Sequence, residues 1–244
     1  MTDMNADLRA TLAVVSTATL CTAMFKHGLR NQFLQNVHPL AAPPGGANMV
    51  GPAYTLRYIP AREDLNSLAV FEDPAHPQRA AIEQCPRGAV MVIDSRKDAR
   101  AASAGSILVT RLMMRGGAGI VTDGGFRDAP EIAELAMPSY HQRPSAPTNL
   151  TLHQAIAIDA PIACADVAVF PGDIMVGDRE GVAVIPAHMA ADIAAEATDM
   201  TAFEDFVTEK VQAGASIVGL YPPTDPKTKE EFAQWQARHE GADK

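Results

Sequence analysis

Aromatic side chains make up only 5% of the 244 residues, with a single Trp, and cysteine occurs three times. Cys21, Cys85 and Cys164 are odd in number, far apart, and set in apolar or mixed surroundings. That excludes a disulfide staple, a zinc site or a redox pair, and leaves reduced cysteines of the core. Basic charge is also scarce: 20 Lys and Arg stand against 29 Asp and Glu, a formal net charge of −9. Neutralising phosphates requires a basic face, so no nucleic-acid partner is expected. No apolar run reaches the roughly 18 residues needed to cross a bilayer. The first stretch, MTDMNADLRATLAVVSTATL, has an acidic start and a broken apolar segment, unlike a signal peptide. The expectation is a cytoplasmic protein with no membrane partner.

What is present suits a globular domain, with 47% hydrophobic and 20% charged residues. A chain of this length buries roughly 70–75% of the surface it exposes unfolded, so its core needs no covalent support. The pattern predicts helices over 4–20 and 22–28, the second ended by Gly28. A Pro/Gly loop, AAPPGGANM, follows over 41–49. Residues 51–59 alternate as a strand does, and Pro60 ends it. The short apolar runs 89–94 and 119–122 read as strands buried on both faces. Helical spacing follows each, over 107–115 and 129–137, and 139–141 opens another strand. That alternation predicts parallel strands joined by right-handed crossovers, a βαβαβ unit. From 156 to 185, short strands and turns at Gly172-Asp173 and Gly177-Asp178 predict an antiparallel layer. A helix is expected over 186–213, and a last one over 227–239 with Phe232 and Trp235 on one face. The fold class is α/β with mixed sheets and a C-terminal helical tail. Residues 1–213 read as one domain and 214–244 as an extension whose helix docks on a neighbouring subunit.

Parallel sheets bind ligands beyond the carboxyl ends of their strands. Two loops share that end, SRKDARAASAGS (95–106) and DGGFRD (123–128), and each leads into a helix. In the first, Ala104-Gly105-Ser106 stands at a helix N-terminus, where the amides of Ile107 and Leu108 suit a carboxylate. In the second, the planar fork of Arg127 suits a carboxylate, and Asp123 and Asp128 are hard oxygen donors for Mg²⁺ or Mn²⁺. The glycines before Arg127 let the backbone come close to a ligand. Together the loops suit a small, anionic, oxygen-rich molecule held by Arg127 and a divalent ion. A plainer reading stands beside this one. Asp128-Ala-Pro-Glu131 also has the spacing of a capping box, and Arg127 that of a surface ion pair. Spacing alone leaves both open.

Residues 88–132, with STATL (16–20), GPAYTL (51–56) and VAVFPGDIMVGDREGVAVIP (167–186), closely resemble one family. It is that of the regulator of ribonuclease E activity A and the class II 4-hydroxy-4-methyl-2-oxoglutarate aldolases. The likeness covers about residues 10–200 with order and spacing kept, and GASIVGLYPP (214–223) looks like a longer-tailed branch. The resemblance implies a swivelling β/β/α fold, a homotrimer or dimer of trimers, and sites near subunit interfaces. It implies cleavage of 4-hydroxy-2-oxo acids to pyruvate, or decarboxylation of oxaloacetate, through a pyruvate enolate that a divalent metal stabilises. Within it, Arg127 would hold the pyruvate carboxylate or carbonyl and Asp128 the metal, with Gly105, Ser106 and the amides of Ile107 and Leu108 completing the pocket.

One position departs from the aldolase pattern of an aspartate, twenty residues, then Arg-Asp: the aspartate position holds Ser106. A serine hydroxyl can bond a metal-bound water, yet it carries no charge and is a poor base. Metal binding should weaken, and aldol cleavage should suffer more than decarboxylation. Asp98 and Asp123 are the nearby carboxylates that could compensate. The alternatives are a ribonuclease-binding regulator, which needs no base, and an isomerase or hydro-lyase acting on a sugar acid.

Elsewhere, Asp173 and Asp178 sit in turns that favour aspartate. His27, His38, His76 and His141 lack ligand spacing and read as ordinary surface or cap residues, and Arg57 and Arg62 as exposed ion-pair residues. The glycines at 116–119 follow a helix and precede a strand, the reverse of a dinucleotide fingerprint.

Overall fold

A computed structural model describes residues 4–41 and 44–239. Residues 42 and 43 of the expected Pro/Gly loop, and the ends of the two expected domains, lie outside the described residues. The chain divides into two compact units, residues 1–194 and 195–244.

The first unit opens with α1 (Ala6–Leu12) and α2 (Thr17–Lys26), where one helix over 4–20 was expected. The break is a capping event. Ser16 leaves helical geometry and its Oγ accepts from Thr19 N at 3.1 Å, while the apolar run Leu12–Val15 carries past the end of α1 up to it. Gly28, at φ +86°, ends α2 as expected, because its left-handed geometry is open to glycine.

The strands and helices then follow in order: β1 (His38–Ala41), β2 (Met49–Pro60), α3 (Pro77–Gln84), β3 (Val90–Asp94), β4 (Ala102–Ala104), α4 (Ser106–Met114), β5 (Gly119–Thr122), β6 (Gly125–Phe126), α5 (Ala129–Ala133), β7 (Ser139–His141) and β8 (Arg143–Pro144). Next come β9 (His153–Ile158), β10 (Ile162–Cys164), β11 (Val167–Val169), β12 (Ile174–Gly177) and β13 (Val182–Ile185). The main sheet runs β1-β7-β5-β3-β2-β12-β13, with β9 also on β2. Its centre, β2, β3, β5 and β7, is parallel, as the alternation predicted. The helix α5 is shorter than the expected 129–137, because Met137 turns into the core ahead of Pro138, a residue that disfavours helix before it.

β3 is buried on both faces, and its side chains divide accordingly. Met91 and Ile93 join Val109, Leu112, Phe126 and Ile132 beneath the helices. Val90 and Val92 join Val167, Val169, Val182 and Val184 on the other side. The result is the β/β/α arrangement. The expected antiparallel layer is partly an extension of the main sheet. The long β2 pairs antiparallel with β12 through its first half and with β9 through its second, and only β10–β11 stand apart as a hairpin.

The second unit holds the later part of α6 (Ala190–Gln212) and α7 (Pro226–His239). Phe206, Val207, Leu220 and Trp235 form its core, and Trp235 Nε1 donates to Glu209 Oε2 at 2.8 Å. The Phe232–Trp235 face is thus covered by α6 of the same chain. Among the described residues, no single helix is long and apolar enough to cross a membrane.

Candidate active site

The two loops singled out by the sequence do not simply hang from the main sheet. Each first forms a short strand, so that β4, β6 and β8 make a small parallel sheet above the carboxyl ends of β3, β5 and β7. Arg127 N donates to Ala104 O at 3.1 Å, which sets the exit of β6 beside the exit of β4. Gly105-Ser106 and Arg127-Asp128 therefore meet, as the sequence reading required.

Beneath them the space is closed by buried polar groups. Ser103 Oγ lies 2.7 Å from Ser95 Oγ and 2.6 Å from Thr122 Oγ1. Asp123, fully buried, accepts from Ser95 N (2.6 Å), Lys97 N (3.0 Å) and Ala165 N (3.0 Å). Burial, and to a lesser degree the neighbouring Asp94, push its carboxyl up to about 6 despite those donors. Asp123 thus ties three backbone segments together and lies outside the cleft, so its expected part as a metal ligand is replaced by a structural one. Asp98 is paired with Arg100 at 2.7 Å, which holds its carboxyl down at about 2, and it too lies outside the cleft.

Asp128 stands at the N-cap position of α5, yet its side chain makes no capping hydrogen bond. Its backbone is left-handed (φ 56°, ψ 38°), uncommon for a residue with a Cβ. Its Oδ2 instead accepts from Ser106 Oγ at 3.2 Å and Ser106 N at 3.3 Å, and lies 3.6 Å from Arg127 Nε. The capping-box reading is overturned here: the carboxylate is turned away from its own helix and toward α4. Gly105 is required by this approach, since a Cβ there would lie 2.8 Å from Arg127 Cγ and 2.9 Å from Asp128 Oδ2. Arg127 and Asp128 keep 47% and 36% of their side-chain surface exposed, enough to meet a ligand. Leu108 N donates to Gly105 O at 3.1 Å, which leaves the Ile107 amide as the first-turn donor that the helix does not use.

Gly105, Ile107, Leu108, Arg127 and Asp128 wall a cleft of about 430 Å³, a size suited to a small metabolite, whereas Ser106 does not line it and touches it only through Asp128. Its far wall was not anticipated: Leu68, Phe71, Gln78, Arg79, Thr148 and Asn149. The Arg79 guanidinium lies 4.4 Å above the Phe71 ring. Gln78 Nε2 donates to Tyr58 OH (3.0 Å) and Ser103 O (2.9 Å). No periodicity marks these residues in the sequence, because they lie in or beside 3-10 helices of three to five residues and at the start of α3.

No group of three or more His, Cys, Asp or Glu side chains is placed to hold a metal among the described residues. The donor set does fit Mg²⁺ or Mn²⁺, which keep several waters and take one or two carboxylates plus substrate oxygens. Asp128 would supply the carboxylate and Ser106 a hydroxyl for a coordinated water.

Of the other candidates, Asp173, Asp178 and Arg62 fall where the sequence put them, whereas His76 and His141, expected in surface or cap roles, are buried. Asp173 accepts from Phe170 N at 2.8 Å in its turn, and Asp178 accepts from Thr17 N at 2.8 Å at the start of α2. Arg62 forms an exposed pair with Asp64 at 2.7 Å, and Arg57 is exposed on β2. All three cysteines are free; Cys85 and Cys164 are buried and Cys21 partly so.

Fold and site together define an α/β protein with a small-molecule cleft built by two adjoining loops. The RraA-like family, described as Aldolase/RraA, matches residues 17–184, and the chain belongs to that family. It is 30% identical over 202 residues to a Halalkalibacterium halodurans protein named "Putative 4-hydroxy-4-methyl-2-oxoglutarate aldolase", covering 80% of this chain and 87% of that one. A Burkholderia mallei protein of the same name is 33% identical over 175 residues, covering 69% and 94%. Among solved structures, Streptomyces coelicolor RraAS2, titled an unusual member of the RNase ES inhibitor RraA protein family, aligns with a TM-score of 0.71 and 32% identity over 84% and 98% of the two chains. An uncharacterized Pseudomonas syringae protein shares the fold, with a TM-score of 0.75 and 22% identity over 91% and 100%.

Proposed function

We propose that this chain is a divalent-metal-dependent carbon–carbon lyase acting on a small 2-oxo acid, with oxaloacetate decarboxylation favoured over aldol cleavage. The observation that carries the reading is the Asp128 carboxylate, withdrawn from its own helix cap and set beside Ser106 and Arg127 at the mouth of the cleft. A left-handed aspartate without a cap bond is a local cost that the fold retains, and such costs cluster at functional sites.

Arg127 would bind the substrate carboxylate through its planar fork, with the Ile107 amide as a second donor. Asp128 would hold Mg²⁺ or Mn²⁺, an ion that supplies Lewis acidity at the 2-oxo group when bound. Ser106 orients the Asp128 carboxylate and contributes no base. Loss of CO₂ from oxaloacetate needs no proton abstraction by the protein, whereas cleavage of a 4-hydroxy acid requires removal of the hydroxyl proton. The names of the two aldolase-like relatives support the reaction class, and Ser106 supports the choice within it. The free thiols support a cytoplasmic setting. Exposed Leu68 and Ile107 at the cleft support a homotrimer or dimer of trimers, in which a neighbouring subunit covers them.

The test is pyruvate release from oxaloacetate with Mg²⁺ and with EDTA, on this chain and on Arg127→Ala. Turnover that requires Mg²⁺ and is lost in the variant, with the fold intact by circular dichroism, is the expected result. Turnover unaffected by the substitution would overturn the reading. The second reading, a protein-binding regulator, is favoured by the same Ser106, since contact inhibition needs neither base nor metal. It predicts a stable, EDTA-insensitive complex with a ribonuclease on gel filtration.

A further inference from the structure

Among the described residues, the charged groups that line the cleft are two guanidiniums and one carboxylate: Arg79, Arg127 and Asp128. The cleft is thus positive in a chain whose net charge is −9. Arg127 has Asp128 at 3.6 Å, whereas the Arg79 guanidinium makes no ion pair or hydrogen bond among the described residues. Its contact is the Phe71 ring at 4.4 Å, which steadies the group without using any of its N–H donors. Arg79 also stands on fixed chain. Gln78, the residue before it in the first turn of α3, donates from Nε2 to Ser103 O at 2.9 Å, and Arg127 N donates to Ala104 O at 3.1 Å. Both arginines are therefore borne on chain tied to successive residues of β4. A cation held in a cleft without a counter-charge suits an anionic group of the ligand.

We propose that Arg79 is a specificity-determining residue that binds a second carboxylate, so that the substrate is a 2-oxo acid with a carboxylate at each end. This rests on the lyase reading, in which Arg127 takes the carboxylate beside the 2-oxo group. The planar fork of Arg79 offers several donors to one carboxylate, and the bond is charge-assisted on both sides. A monocarboxylate leaves this guanidinium without its counter-charge, and the site discriminates against it. In oxaloacetate the second carboxylate is the group lost as CO₂, so holding it strengthens binding and does not lower the barrier to its departure. Arg79 sets which acid is bound, not how fast it reacts.

Calorimetric binding in the presence of Mg²⁺ tests this with two probes on the same carbon chain: 2-oxoglutarate, and its methyl ester at the carboxylate remote from the 2-oxo group, whose far end is uncharged. The native chain is expected to bind 2-oxoglutarate about tenfold more tightly than the ester, the usual scale for one hydrogen bond to a charged group. Arg79→Gln should erase that preference by weakening 2-oxoglutarate and leaving the ester unchanged. Arg79→Lys keeps the charge and loses the fork, and should retain part of the preference. The ratio of the two affinities is insensitive to a general loss of folded protein in a variant. Arg127→Ala should weaken both probes. If it does so while Arg79→Gln keeps the native ratio, or while the native chain binds both probes equally, the lyase reading stands and this inference is overturned. If the native chain binds neither probe, both fail.

Discussion

Ser106 Oγ and Asp128 Oδ2 lie 3.2 Å apart, a hydroxyl donating to the carboxylate across the gap between two helix N-termini. A carboxylate in place of that hydroxyl would put two negative groups in the same space. Such a pair is repulsive alone and strongly attractive to a divalent ion.

Ser106→Asp is therefore expected to raise Mg²⁺ affinity about tenfold, the lower range for changes around a metal ligand. With EDTA it should lower stability by about 1 kcal/mol, the scale of one unit of pKa displacement. Isothermal calorimetry and melting curves with and without Mg²⁺ check this, and equal affinities would show that the two positions do not share an ion.

Gly105→Ala inserts a methyl group into the 2.8–2.9 Å gap against Arg127 Cγ and Asp128 Oδ2. Both side chains are partly exposed and can move aside, so the melting temperature should fall by only a few degrees, equivalent to about 1 kcal/mol. Activity should drop about 100-fold, because a displacement near 1 Å is costly where binding geometry sets the rate.

Asp128→Gly separates function from stability in the opposite sense. Glycine takes φ 56° without steric cost and removes no cap bond of α5; what it loses is the pair of long, part-exposed contacts from Ser106 N (3.3 Å) and Oγ (3.2 Å), which offset only part of that gain. The variant should be as stable as the parent or more so, by up to about 1 kcal/mol, while pyruvate release is abolished. Urea midpoints and turnover on the same samples decide it.

Asp123 governs a pH dependence remote from the cleft. Its folded pKa, pushed to about 6 from an ordinary 3.8, means that between those values the folded chain binds a proton the unfolded chain has released. Its stabilising contribution is full below pH 4 and declines as pH rises through 6, by roughly 3 kcal/mol in all. The amide introduced by Asp123→Asn cannot titrate, so the parent's stability should fall relative to the variant's over this window. The variant is less stable throughout, because its amide NH₂ meets the N–H groups of Lys97 and Ala165 where Oδ2 accepted them. Denaturant melts at pH 4, 5, 6 and 7 measure the difference, and parallel curves would refute the assignment.

Much of this was legible in the residues. The apolar runs of β3 and β5 announced strands buried on both sides, and the loops after them held Gly105, Ser106, Arg127 and Asp128. What escaped was whatever lacks a period. Strands of two or three residues such as β6 and β4 show no alternation, so the small upper sheet was invisible. The break at Ser16 was hidden because Leu12, Ala13, Val14 and Val15 carry the apolar run past the end of α1. Asp123 and Asp128 look alike in DGGFRD, and only tertiary placement sends one to the interior and the other to the cleft.

The small upper sheet also fixes a count. Along β6, Phe126 is buried in the core and Arg127 reaches solvent, and the parallel register with β4 sets Arg127 beside Gly105. Adding or deleting one residue between Thr122 and Arg127 would exchange these directions, driving a guanidinium inward and a phenyl ring outward. The short approach to the second half is thus held in phase by the pleat.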